Sequence, residues 1–440
     1  MMSFIKKPGF QFFIFFGIFA LIAGIAHAEV SAETQYVFNT FLFLVCGFLV
    51  MFMAAGFAML EAGSVRSKNA AAICIKNISL YSTAGLLYWL VGYNLMYGVD
   101  EGGFVGGLSV WTADDLAVGA ETPDYSGGYA SGSDWYFQMV FCATTASIVS
   151  GTIAERLKIW PFLIFTLVLT GFIYPIVGGW EWGGGFLDAN FAFSDFAGST
   201  LVHSTGGWAA LAGAIVIGSR TGRFNEDGSV TSFPGSSIPL ATLGAFILWL
   251  GWFGFNGGSQ LALGSALDSV AISNIFINTN LAAAAGVMFA MITSQLLYGK
   301  VDIVVALNGA IGGLVAITAE PLAPSIGAAV FIGAVGGILV AVTTPLLLKM
   351  KIDDVVGAIP AHLVCGIWGT MIVPLTNGDA SYFGQFVGVI SVAIFAFVAS
   401  FITWTVLKYT IGLRVTVEDE LAGMDVTEFG LEAYPEFSKS

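Results

Sequence analysis

Two histidines stand in matching contexts in a chain that holds only three. The stretches Asp195-Phe-Ala-Gly198-Ser-Thr-Leu-Val-His203-Ser-Thr-Gly-Gly207 and Asp354-Val-Val-Gly357-Ala-Ile-Pro-Ala-His362-Leu-Val-Cys-Gly366 both read D-x2-G-x4-H-x3-G, 159 residues apart. A neutral imidazole donates from one ring nitrogen and accepts at the other, and two adjoining rings can fix each other's tautomer. Ionisable residues in apolar segments usually mark a pathway, so the pair suits a route for a small polar solute. It also suits a haem held between two axial histidines. The bland alternative is two core histidines, each satisfied by a neighbouring helix. A metal site is the weakest reading, because no cysteine or carboxylate cluster completes a coordination sphere.

The rest of the chain has to hold these residues in lipid. Of 440 residues, 57% are hydrophobic and 10% are charged, with mean hydropathy +0.85. A soluble fold of that composition would lack the polar surface to cover itself. A formal charge of −14 argues against a nucleic-acid partner. Lys6 and Lys7, the apolar run 10–25 and Ala26-His27-Ala28 read as a cleaved signal peptide over 1–28, with an additional membrane helix as the alternative. Eleven apolar spans follow, at 36–60, 75–98, 134–154, 159–179, 196–219, 238–262, 272–298, 302–319, 325–348, 357–376 and 383–410, predicting an all-α integral membrane domain over 29–411. The 56 glycines suit close helix packing, and Cys46, Cys74, Cys142 and Cys365 read as packing residues.

Charge tests that count. Of fifteen Lys and Arg, two lie in the leader and the other thirteen fall after odd-numbered spans, from Arg66 to Lys439. By the positive-inside rule the mature N-terminus is outside and the C-terminus cytoplasmic. The two histidine stretches open spans 5 and 10 and so run in opposite directions, as in an inverted 5+5 repeat followed by a final helix. Asp195 and Asp354 suit the N-terminal ends of their helices. Eight residues further on, each histidine lies about 12 Å along its axis, near the midplane from its own side.

Four segments carry a resemblance to the ammonium transporter family (Amt/Mep/Rh), closest to its bacterial and plant-type members. They are Gly56-Phe-Ala-Met-Leu-Glu61-Ala-Gly-Ser-Val-Arg66, Asp195 to His203, Gly251-Trp252-Phe-Gly-Phe255-Asn256, and Asp353 to His362. The resemblance covers essentially the whole mature chain. It implies a homotrimer of eleven-helix subunits with one pore in each, multi-pass in a bacterial plasma membrane, without enzymatic activity or cofactor. It implies that Phe141, Trp182 and Ser259 recruit ammonium outside, and that Phe141 and Phe255 stack to close the pore. His203, His362 and Trp252 would line the pore, with Asp195 an essential carboxylate beneath the recruitment site. Ser199 departs from the family pattern, which often has a second glycine there.

Ammonium chemistry fits those residue types. Aromatic faces attract the cation by about 0.5–2 kcal/mol, and a hydroxyl accepts one of its N–H bonds. A bare cation is costly in an apolar pore, so the ion would surrender its proton and cross as ammonia. The segment 412–440 resembles the family's regulatory tail, with Leu421, Met424, Val426, Phe429, Leu431 and Tyr434 expected to dock. A P-II type regulatory protein is the implied cytosolic partner. A disordered acidic tail is the alternative for this segment. For the whole chain the alternatives are an ammonium sensor of the same fold and a bis-histidine haem electron-transfer subunit.

Overall fold

The computed structural model describes residues 30–116 and 120–437; the expected signal peptide lies outside them. The described residues are helical apart from loops and two isolated bridges, Leu157 with Arg414 and Phe224 with Val230. The principal helices are α1 Ala32–Ser64, α2 Ser67–Tyr97, α3 Ser131–Thr152, α4 Ile159–Gly179, α5 Ser199–Ile217 and α6 Ile238–Gly258. They continue with α7 Ala266–Tyr298, α8 Ile303–Thr318, α9 Ile326–Lys349, α10 Ile359–Leu375 and α11 Tyr382–Thr410. Eight of them are long and apolar enough to cross a membrane; α3, α8 and α10 are not in that group. Outward-facing Ile78, Leu86, Phe246, Leu296 and Ile394 are more than half exposed, as side chains facing lipid would be.

Helix α3 has a physical reason for being less apolar. Every residue from Phe137 to Thr152 is buried within the protein, including Thr144, Thr145, Ser147, Ser150 and Thr152. A central helix surrounded by other helices needs no lipid-compatible face. Several of its hydroxyls bond back to its own carbonyls, such as Thr144 to Val140 at 2.8 Å.

Most expected spans coincide with a helix, but α2 begins at Ser67 rather than 75. Lys76, at the very start of the expected span, lies well inside the helix, 2% exposed, with its ammonium donating to the Ser150 carbonyl at 3.1 Å. Hydropathy understates this segment because Lys76, Asn69 and Asn77 are buried against protein. Of the four cysteines, Cys46, Cys142 and Cys365 are buried, whereas Cys74 is exposed and does not pack within the chain.

The basic connections converge at one end. Glu155, whose φ of 70° is rare outside glycine, pairs with Arg66, and with Arg220 at 3.1 Å. Arg220 also makes a two-pronged pair with Asp353 at 2.8 and 2.9 Å. Burial alone would raise the Asp353 carboxyl, but hydrogen bonds from Arg220 and the charges of Arg156 and Arg220 hold it well below the ordinary range. Its stabilisation is therefore complete above the unfolded carboxyl's pKa of about 3.9 and is lost only as the pH falls below that.

The tail docks on this charged end. Helices α12 Val417–Ala422 and α13 Met424–Phe429 lie against α2 and the α5–α6 connection. The grip is only in part the apolar one expected. Met424 is buried with Phe429 beside it, and Tyr434 packs on the cluster of Val65, Ala70 and Ile73, but Leu421, Val426 and Leu431 are half or more exposed. Carboxylates hold the rest. Asp425 accepts from the Ala71 and Ala72 amides at 3.0 and 2.8 Å, capping the start of α2. Glu420 accepts from the Thr221 amide at 2.7 Å and pairs with Arg414 at 2.6 Å.

Removing one partner of a buried pair leaves the other charge uncompensated. Asp353→Asn is expected to cost about 3–5 kcal/mol, read as a lower melting midpoint of the detergent-solubilised protein near pH 7. An unchanged midpoint would show that Arg220 keeps its partners through Glu155 alone.

Candidate functional site

Each letter of the repeated motif has a structural cause. The Asp195 carboxylate accepts four backbone amides, from Gly198 and Ser199 at 3.1 and 2.7 Å and from Thr200 and Leu201 both at 2.8 Å. Asp354 mirrors it on Gly357 and Ile359 at 3.1 and 2.7 Å. The next glycines, Gly198 and Gly357, have φ of 104° and 81°, a turn open to few other residues. Both stretches then enter a π-helical turn, Ser199–Ser204 and Ile359–Val364, that carries the histidine. Such turns are rare and favour functional sites.

The last glycines let the two half-helices cross. A Cβ on Gly207 would stand 2.6 Å from the Leu363 side chain, and one on Gly366 would stand 2.3 Å from the Ser199 carbonyl. At that crossing the histidines meet, with Nδ1 to Nδ1 at 3.3 Å. A hydrogen bond between two Nδ1 atoms requires one ring to carry its hydrogen there and the other to leave that nitrogen bare. His203 is fully buried and its Nε2 has no hydrogen-bond partner. An orphaned buried nitrogen is what a substrate-facing group looks like without its substrate. With Nδ1 against Nδ1 at 3.3 Å, the rings as placed leave no room between those two nitrogens for an iron, whose bond to each would need about 2.0 Å.

A row of rings runs through this point. Phe141 and Phe255 stack at 3.9 Å, Phe255 lies 5.2 Å from His203, and His203 lies 5.3 Å from His362. Phe57 follows at 6.2 Å from His362, and Trp252 flanks His203 at 4.9 Å. Trp252 is held by its indole donating to the Thr318 hydroxyl at 2.7 Å. Next to Phe57 and His362 is a cavity of about 10 Å³, room for a single water, which Glu61 also lines.

On the other side of the phenyl stack lies a larger cavity of about 320 Å³, and Phe141, Trp182 and Ser259 all line it. Trp182 sits edge-on to Phe141 at 6.2 Å, fixed by its indole donating to the Asp195 carbonyl at 3.0 Å. This explains the position of Asp195: its carboxylate shapes the turn while its carbonyl aims the tryptophan. Ser259 donates its hydroxyl hydrogen to the Phe255 carbonyl at 2.9 Å, which leaves its oxygen lone pairs to accept.

The structure thus brings Phe141, Trp182, Ser259, Phe255, His203 and His362 into one succession, with Trp252 beside it and Asp195 beneath Trp182. Sequence reasoning missed Asp134, Gln138, Tyr93, Tyr97 and Tyr129, which line the same cavity. A signal existed: Asp134, Phe137, Gln138 and Phe141 fall at i, i+3, i+4 and i+7, one face of a helix. It was hidden because Asp134 follows an acidic connection and reads as its last member.

A family model described as the Ammonium Transporter Family matches residues 41–434. A putative ammonium transporter of Synechocystis sp. is 42% identical over 418 residues, covering 93% of this chain and 93% of its own. Ammonium transporter Amt2 of Archaeoglobus fulgidus is 39% identical, covering 90% and 87%. Among solved structures, a sensor Amt protein superposes with TM-score 0.84 at 35% identity, over 91% of this chain and 100% of that one. Candida albicans Mep2 superposes with TM-score 0.78 at 25% identity, over 93% of each chain.

The Asp195 cap yields a prediction that separates its two functions. Asp195→Ala removes the acceptor of four amides and should lower stability by about 2 kcal/mol, whereas Asp195→Asn, which keeps one oxygen, should lose roughly half as much. Melting of both variants checks this, and equal midpoints for Ala and wild type would contradict it.

Proposed function

The chain belongs to the ammonium transporter family and moves ammonium across a membrane, and from that premise we propose how its own residues do so. All eleven principal helices cross the bilayer, α1 to α5 and α6 to α10 form the inverted halves, and the pore lies between them within one subunit. The observation that carries the reading is the single line from the Trp182 cavity through the Phe141–Phe255 stack to the His203–His362 contact.

Ammonium enters the cavity against the faces of Trp182 and Phe141 and donates to Ser259. The stacked phenyl rings leave no gap between them at 3.9 Å, so passage requires them to move apart. Beyond them the surroundings are apolar, and a bare cation there is strongly disfavoured. The ion therefore splits into ammonia and a proton before the stack. Ammonia crosses past the histidine pair, where the unpartnered Nε2 of His203 is the first ring nitrogen it meets. The proton either returns outward or follows separately through the pair. Potassium has no proton to release and is excluded.

The gathering of Arg66, Arg156, Arg220, Arg223 and Arg414 with the docked tail supports a cytoplasmic assignment for that end. With it come an external N-terminus and a bacterial plasma membrane location. The subunit assembles as a homotrimer, and a P-II type regulatory protein engages the cytoplasmic face where the tail lies.

Proteoliposomes with an imposed ammonium gradient test the reading. Wild type should carry ammonium well above empty vesicles and leave potassium behind. His362→Ala should change ammonium flux at least about tenfold or lose the exclusion of potassium, since it removes one half of the polar contact in the apolar path. Wild-type vesicles no faster than empty ones would end the reading.

A further inference from the structure

We propose that Asp134, with Tyr93 as its clamp, is a second cation-attracting subsite in the outer cavity, one that gathers ammonium before the aromatic site receives it; the inference rests on the conduction reading above. Ammonium carries four N–H donors, and the site made by Phe141, Trp182 and Ser259 offers only the one fixed acceptor oxygen of Ser259. The same cavity holds a carboxylate that this arrangement leaves unused. Asp134 is 5% exposed and lines the cavity together with Gln138, Tyr97 and Tyr129.

Its placement is a matter of helix geometry. Asp134 and Phe141 lie two turns apart on one face of α3, a rise of about 10 Å, with Phe137 and Gln138 between them lining the same cavity. The carboxylate thus stands outward of the aromatic site on the same wall. A structural explanation is available, since Asp134 falls in the first turn of α3. However, that helix has no side-chain cap, and the Asp134 carboxylate instead accepts from the Tyr93 hydroxyl at 2.5 Å across the cavity wall. Carboxylate oxygens offer about four acceptor positions; the Tyr93 phenol and the neighbouring Gln138 side chain take up part of that capacity, which fixes the group and leaves positions for a cation. A unit charge about 10 Å away in a partly screened cavity changes cation binding by about five- to tenfold.

Initial ammonium uptake by proteoliposomes tests this at low and high ionic strength. Asp134→Asn should raise the half-saturating ammonium concentration about five- to tenfold at low salt with a maximal rate near wild type. The gap should narrow near about 0.3 M salt, where the screening length shortens, but should not vanish, since the carboxylate is buried in the cavity wall. Asp134→Glu should restore the wild-type value, and Tyr93→Phe should give a smaller rise. An unchanged half-saturation in Asp134→Asn, or a fall in maximal rate alone, would overturn the proposal while leaving conduction intact. Calorimetric titration of wild type and Asp134→Asn with ammonium reads binding without transport. The same ratio of affinities there supports the subsite even if wild type conducted nothing, and equal affinities refute it.

Discussion

His203 and His362 can touch through their Nδ1 atoms only because two helices cross with a glycine on one side of each close approach, Gly207 against Leu363 and Gly366 against Ser199. That crossing constrains much else. Gly207 and Gly366 set its depth, Gly198 and Gly357 turn the chain into it, and Asp195 and Asp354 hold each turn by its amides. The π-helical turns follow from the same demand, since an α-helical register would rotate each ring away from its partner. The contact then fixes hydrogen positions: one Nδ1 must donate, one must accept, and the Nε2 of His203 is left facing outward from the pair without a partner.

Polarity is distributed to match. In the middle, the rings of Phe141, Phe255, His203, His362 and Phe57 succeed one another without a charged side chain in the row. Toward one end lie Trp182, Ser259 and Asp134, each anchored by a hydrogen bond that also orients it. At another end, Glu155 and Asp353 tie Arg66, Arg220 and Arg223 together over the ring of Phe233. The docked tail extends that network through Glu420 and Asp425. Aromatic and hydroxyl groups, an uncharged row of rings and a network of buried ion pairs thus occupy different places along the helices.

Much of this was legible in the sequence because it depends on rarity and spacing. Two histidines in one motif, 159 residues apart, carry the site without any knowledge of side-chain packing. Most helix positions follow from apolar length. What stayed hidden depends on surroundings. The π-helical turns share local sequence preferences with α-helix and arise from the crossing. Lys76 reads as the charged edge of a span until the helices that bury it are in place. The tail's apolar residues suggest a hydrophobic dock, which Met424, Phe429 and Tyr434 make, yet Leu421 is exposed and Asp425 caps α2, because part of the partner surface is a helix N-terminus. Asp134 opens a span beside an acidic connection, and only the cavity shows which way it faces.

Nitrogen-15 NMR of the histidine-labelled protein in lipid tests the central contact most directly. With His27→Ala removing the third histidine, only two rings contribute. The account predicts one protonated and one bare Nδ1, and a shift of the His203 Nε2 resonance when ammonium is added. Two protonated Nδ1 atoms, two bare ones, or four ring resonances indifferent to ammonium would contradict it.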